Sequence, residues 1–169
     1  MKRLRSLLRD NRATAAAEMA LSLPIMFALL FGSVELGNYF LSEHKVVKAV
    51  RDGARFAARR PFSDYPGCAP SSGLVTDTQN VTRTGEVESG GSPRLDTWTD
   101  PNTIDVTAEC DNSGAWANSG IYVATNSPIG TPVVTVTASV PYTTVLQQLG
   151  LANLTLTMTA QSQAAVTGI

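Results

Sequence analysis

Histidine occurs once in these 169 residues, and cysteine twice. The lone His44 has no serine or cysteine in reach of a catalytic pairing, which argues against acyl-transfer chemistry. There is no HExxH and no phosphate-cradling glycine motif. Cys68 and Cys110 are too far apart for a zinc or thioredoxin spacing. Asp100, Asp105 and Asp111 fit no calcium-loop pattern. The chain is therefore expected to be no enzyme, with no metal and no cofactor; nucleic acid is not an expected partner.

Charge is missing in a second, more informative way. Of 13 Lys and Arg, only Arg83 and Arg94 lie beyond residue 60. Residues 61–169 hold two cations against nine carboxylates, a net charge of −7. From Asn112 to Ile169, 58 residues carry no charged side chain. Ordinary soluble domains are about 25% charged. A Thr-, Ser-, Ala- and Val-rich stretch of this kind fits an exported surface, one that neighbours can cover. Export would also let Cys68 and Cys110 pair; two buried thiols is the other reading.

Residues 1–13 read as a basic cytoplasmic leader. After Glu18 the run Met19–Val34 is free of charge for 16 residues, and Glu35 ends it. Sixteen helical residues span roughly 24 Å, short of the roughly 30 Å of a bilayer core. Ala15–Ala17 or Leu36–Leu41 supply the difference, giving a transmembrane segment of about 15–40. A secretory signal would end at a small-residue site followed by a break, and no break occurs. Past Glu35, Leu36, Tyr39, Phe40, Val46, Val47, Val50, Ala54, Ala57 and Ala58 recur at helical spacing. One helix is expected over 14–60, with Pro24 inside it as a kink and Pro61 as its stop. Lys48, Asp52 and Arg55 are spaced to pair along it. Lys48, Arg51, Arg55 and Arg59 form a basic stripe.

Residues 61–102 are rich in Gly, Pro, Ser, Asp and Asn and read as a loop-rich segment with at most one weak strand. Residues 103–169 read as an exported β-rich domain. Three segments alternate with period two: 103–110, 134–140 and 154–161. A shorter strand is expected at 120–125 and a short helix over Thr143–Leu149. Cys110 falls on the apolar face of its strand, which favours a buried disulfide to Cys68. The fold class is α+β: a long helix followed by a small antiparallel sheet.

The stretch TAAAEMALSLPIMFALLFGSVELGNYF, followed by a basic amphipathic helix ending in GARFAARR, resembles the TadE-like minor pilins of the Tad (tight adherence, Flp) pilus system. The residues that carry the resemblance are Ala13, Glu18, Pro24, Glu35-Leu36-Gly37 and the late strand Val133–Tyr142. The family usually has Gly where Ala13 stands and an aromatic residue where Met19 stands. The resemblance implies cleavage by a prepilin peptidase between Ala13 and Thr14. Glu18, at position five of the trimmed chain, would then pair with the new N-terminus of a neighbour. It also implies partners: a second minor pilin, the major pilin and an inner-membrane assembly platform.

Each of these residues has a plainer reading. Glu18 could be hydrated at the membrane surface. Glu35 could be a second intramembrane contact, to a Lys or Arg of another helix, or could only mark the outer surface. The basic stripe could meet lipid head groups or acidic neighbouring domains, or be a solvated face. Lysines and arginines flank the apolar run on both sides, so the positive-inside rule does not set the orientation. The leader, the disulfide and the uncharged domain place the N-terminus in the cytoplasm and the C-terminal domain outside, with a single pass of the inner membrane. The expected role is a minor pilin; an uncleaved membrane scaffold and a stalked binding module are the competing classes.

Overall fold

The computed structural model describes residues 11–111, 120, 130–148, 150 and 155–168. Helix α1 (Asn11–Ala58) is 48 residues long and runs through Pro24 as one element. It contains a candidate membrane span in which the most apolar window is entirely unburied. Pro24 offers no donor to the preceding turn. Elsewhere in this half Ser22 Oγ donates to the Glu18 carbonyl (2.8 Å) and Ser33 Oγ to the Leu29 carbonyl (2.7 Å). Both hydroxyls are thus satisfied within the helix, as an apolar surround demands.

The helix changes character after Glu35. Val46, Ala49, Val50, Gly53, Ala54, Ala57 and Ala58 turn into the protein core. Their spacing is the i, i+3, i+4, i+7 stripe that one helix face requires. That stripe lies on a three-stranded antiparallel sheet of order β1-β2-β3. The strands are β1 (Ile104–Asp111), β2 (Thr131–Thr143) and β3 (Thr155–Ala165). Their register sets Val106 opposite Val136, Val140 opposite Met158, and Tyr142 opposite Leu156. Ile104, Val106, Val134, Val136, Ala138, Val140, Met158 and Ala160 form the inner face. The three expected strands are therefore observed, with these residues on the expected inner face; Leu154 lies outside the described residues. The short helix is observed as α3 (Val145–Gln148). All but the first residue of the strand expected at 120–125 lies outside the described residues.

The expectation for residues 61–102 needs correction. They hold a 13-residue helix, α2 (Ser72–Thr84), beside α1. Ser71 caps it, accepting from the Leu74 N–H at 3.3 Å, and Gly85 ends it at φ 90°. Its inward face is Leu74, Thr78, Val81 and Thr82. Trp98, from the loop that follows, is fully buried and donates to Thr103 Oγ1 at 2.9 Å. Helix α1 ends two residues earlier than expected, at Ala58. Its last carbonyl accepts from the Thr167 N–H at 2.7 Å, so the C-terminal strand's exit closes the helix end.

Candidate functional site at the joint of helix and domain

In the first half of α1, apolar side chains stand out into the surroundings. Met19, Leu21, Ile25, Met26, Phe27, Leu29, Leu30 and Val34 are all more than half exposed. Water does not accept such a cylinder, whereas lipid or other apolar helices do. Glu18 stands at the N-terminal end of this surface, exposed, and its carboxylate meets no partner among the described residues. Ala13 and Thr14 lie in the first turn of α1, which begins at Asn11.

Glu35 stands at the other end, and its surroundings differ. Its Oε1 accepts from the Tyr142 hydroxyl at 2.7 Å. Its Oε2 accepts from the Val145 N–H at 2.8 Å and from the Leu146 N–H at 3.4 Å. Asn38 Nδ2, one turn on, donates to the same tyrosine oxygen at 3.0 Å. Tyr39 packs edge-on against the Tyr142 ring, centroids 5.2 Å apart. Glu35 therefore fastens the long helix to the end of β2 and the start of α3. These partners all lie in its own chain, at the end of β2 and the start of α3. A carboxylate at the head of a short helix is well placed, because the first N–H groups there have no helical acceptor. Burial, followed by the bond to Glu35, pushes the Tyr142 hydroxyl up to about 12.

The joint is roofed by an open apolar groove of about 390 Å³. Leu36, Tyr39, Tyr142, Leu146 and Leu156 line it, with Gly32 on the side of the exposed apolar half of α1. A Cβ added at Gly32 would meet nothing within 4 Å among the described residues.

Lys48, Arg51, Arg55 and Arg59 are all exposed, on the side of α1 turned away from the sheet. None of them makes an ion pair among the described residues. The pairing expected within the helix, of Asp52 with Lys48 and Arg55, is not formed. Asp52 instead accepts from Arg94 Nη1 at 2.8 Å, tying α1 to the loop after α2. Cys68 and Cys110 are bonded, with Cα atoms 5.9 Å apart, and clamp the start of the α2 segment to the end of β1. No group of three or more metal-ligating side chains is found among the described residues.

Residues 13–55 match the TadE-like protein family. The match starts at Ala13 and takes in Thr14, Glu18, Pro24, Glu35 and the stripe as far as Arg55. It leaves out Arg59, the disulfide and the sheet. No curated protein and no solved structure matches the chain.

Tyr142, Asn38, Arg94 and the N–H groups of α3 escape a reading of the sequence. Tyr142 shows there only as the end of the late strand Val133–Tyr142, and Arg94 only as one of the two cations beyond residue 60. The Glu35 contact spans 107 residues, and no local pattern encodes such a distance.

Proposed function

We propose that the chain is a membrane-anchored, minor pilin-like subunit of Tad-type pilus assembly. The observation that carries this reading is the division of α1: an exposed apolar half, followed without a break by a half that forms the domain core. Such a subunit acts by packing, not by turnover. Its anchor waits in the inner membrane, with the domain on the outer side, until other pilin-like helices cover it.

Prepilin peptidase would cut between Ala13 and Thr14, leaving Glu18 five residues from a new amino group. An unpaired carboxylate at the edge of an apolar layer is costly, and a neighbour's N-terminal amine would satisfy it. The second minor pilin, the major pilin and the assembly platform are the partners this reading implies. The basic stripe supports protein rather than lipid as its target. Lys48 lies about 20 Å, and Arg59 about 36 Å, along the helix from Glu35. Head-group charge is screened within about 10 Å, so the acidic outer domains of neighbours are the better match.

Intact-mass measurement on protein from native membranes, with and without prepilin peptidase, tests the reading. Loss of residues 1–13 only when the peptidase is present is the expected result. A full-length chain in both cases would overturn the processing step and leave an uncleaved membrane scaffold.

A further inference from the structure

The length of the anchor poses a problem that the domain solves. Met19–Val34 gives about 24 Å of helix for about 30 Å of hydrocarbon. Some 6 Å, about four residues, must come from one end. At the inner end stands Glu18, with no partner among the described residues. At the outer end stands Glu35, whose carboxylate is held by Tyr142, Val145 and Leu146. After Glu35 the next charged residue is Glu43. Between them Leu36, Phe40 and Leu41 are about half exposed or more. The apolar surface therefore continues past Glu35, and the bonded carboxylate is the end that enters the membrane edge at lower cost.

If Glu35 sits below the lipid surface, so do the groups bonded to it. Those groups are the lower end of the domain: the end of β2, helix α3 and the start of β3. This end is built for such a place. Leu156, across from Tyr142, is 41% exposed, and Leu146 is half-buried beside the same groove. No residue from 112 to 169 carries a charge that would hold this end in water. Tyr39 and Tyr142 bring the amphipathic rings that favour the level of the head groups.

We propose that the domain rests in the bilayer surface on a foot formed by α3 and Leu156, with lipid chains occupying the groove at the Glu35 joint. Its partner is the lipid surface itself, and the inference rests on the membrane-anchor reading above. The foot fixes the height of the domain over the membrane without any linker. It also gives the short apolar run its missing length.

The test uses the full chain in phosphatidylcholine nanodiscs, with one polarity-sensitive fluorophore per variant. Phe27→Cys probes the span, Leu156→Cys and Thr157→Cys the foot, and Thr76→Cys the exposed face of α2. Thr157 is exposed in the same groove, so its variant serves if Leu156→Cys misfolds. Quenching by nitroxide lipids, with the label deep in the chain for Phe27 and shallow for the foot, is compared with quenching by aqueous iodide. The expected result is lipid quenching at Phe27, Leu156 and Thr157, with iodide quenching at Thr76. Iodide quenching at Leu156 and Thr157 while Phe27 answers to lipid overturns the foot and leaves the anchor standing. Shielding of the foot from both quenchers overturns it as well, because a protein neighbour then fills the groove. Loss of lipid quenching at Phe27 removes the anchor reading and the foot with it.

Discussion

Replacing Glu35 should loosen the joint between helix and domain more than any other single change in that region. The carboxylate accepts two short hydrogen bonds, at 2.7 and 2.8 Å, and a long third at 3.4 Å. Bonds to charged groups contribute about 1.5–3 kcal/mol each, but Glu35 is only half-buried and water recovers part of that. We expect Glu35→Ala to weaken the joint by about 2–4 kcal/mol. Tyr142→Phe removes one of the bonds and leaves Asn38 without its acceptor, for about 1–2 kcal/mol. The two changes strip the same contact, so the double variant should cost clearly less than their sum. Amide hydrogen exchange at Val145 and Leu146 in the full chain is the direct assay. At tenfold per 1.4 kcal/mol, Glu35→Ala should speed exchange there by about 30-fold or more. Unchanged exchange at both amides, together with additive effects of the two substitutions, would refute the reasoning. The carboxylate would then contribute nothing to holding α3.

Three further perturbations probe the rest of the fold. Gly53→Ala would drive a Cβ into the Thr82 side chain, with Thr78 Cγ2 at 3.7 Å, and should lower stability by about 1–3 kcal/mol in chemical denaturation; a neutral result would mean that α1 and α2 do not cross there. The Cys68–Cys110 bond closes a separation of 42 residues, so removing both cysteines should cost about 4 kcal/mol in the chain-entropy model. An unfolding midpoint that does not move on reduction would count against the pairing. The Tyr142 hydroxyl titrates at about 12 in the folded chain against 10.0 unfolded. The folded state keeps this proton longer, so the contribution is complete below pH 10 and lost as pH rises to about 12. Denaturation across that window should show a fall that Tyr142→Phe makes shallower, leaving the share due to Tyr65, which burial also raises.

Some of this was legible in the sequence because it follows from local periodicity. The helix could be read from the spacing of Val46, Val50, Ala54 and Ala57, and its end from Pro61. The three strands could be read from Val, Leu and Met alternating with Thr. Helix α2 could not be read the same way. Its buried face uses Thr78 and Thr82 where an apolar pattern expects hydrophobic residues, and threonine is a poor helix former. The better clue was punctuation: Ser71 as a cap and Gly85 as a left-handed stop. Trp98 was hidden for a related reason, since a loop core has no period. At the joint, Glu35 stood out as a charge that breaks an apolar run, yet its partners come from a strand and a helix more than 100 residues away. Asp52 shows the converse error. Spacing along the helix offers Lys48 and Arg55, but Arg94 reaches it from the loop and leaves the stripe outward-facing.

The unbroken passage of α1 from anchor to core also makes the protein a rigid shaft with a defined angular setting. Each helical residue turns the chain by about 100°. One residue inserted between Glu35 and Val46 would therefore swing the exposed apolar half by roughly a quarter turn against the domain. Glu35 would then point away from Tyr142 and α3, although the composition of neither half had changed. Four inserted residues, about 400°, would bring the carboxylate almost back into line but one turn too far away. Torque or tension applied to the anchor passes straight into the sheet, because no flexible segment lies between them to absorb it.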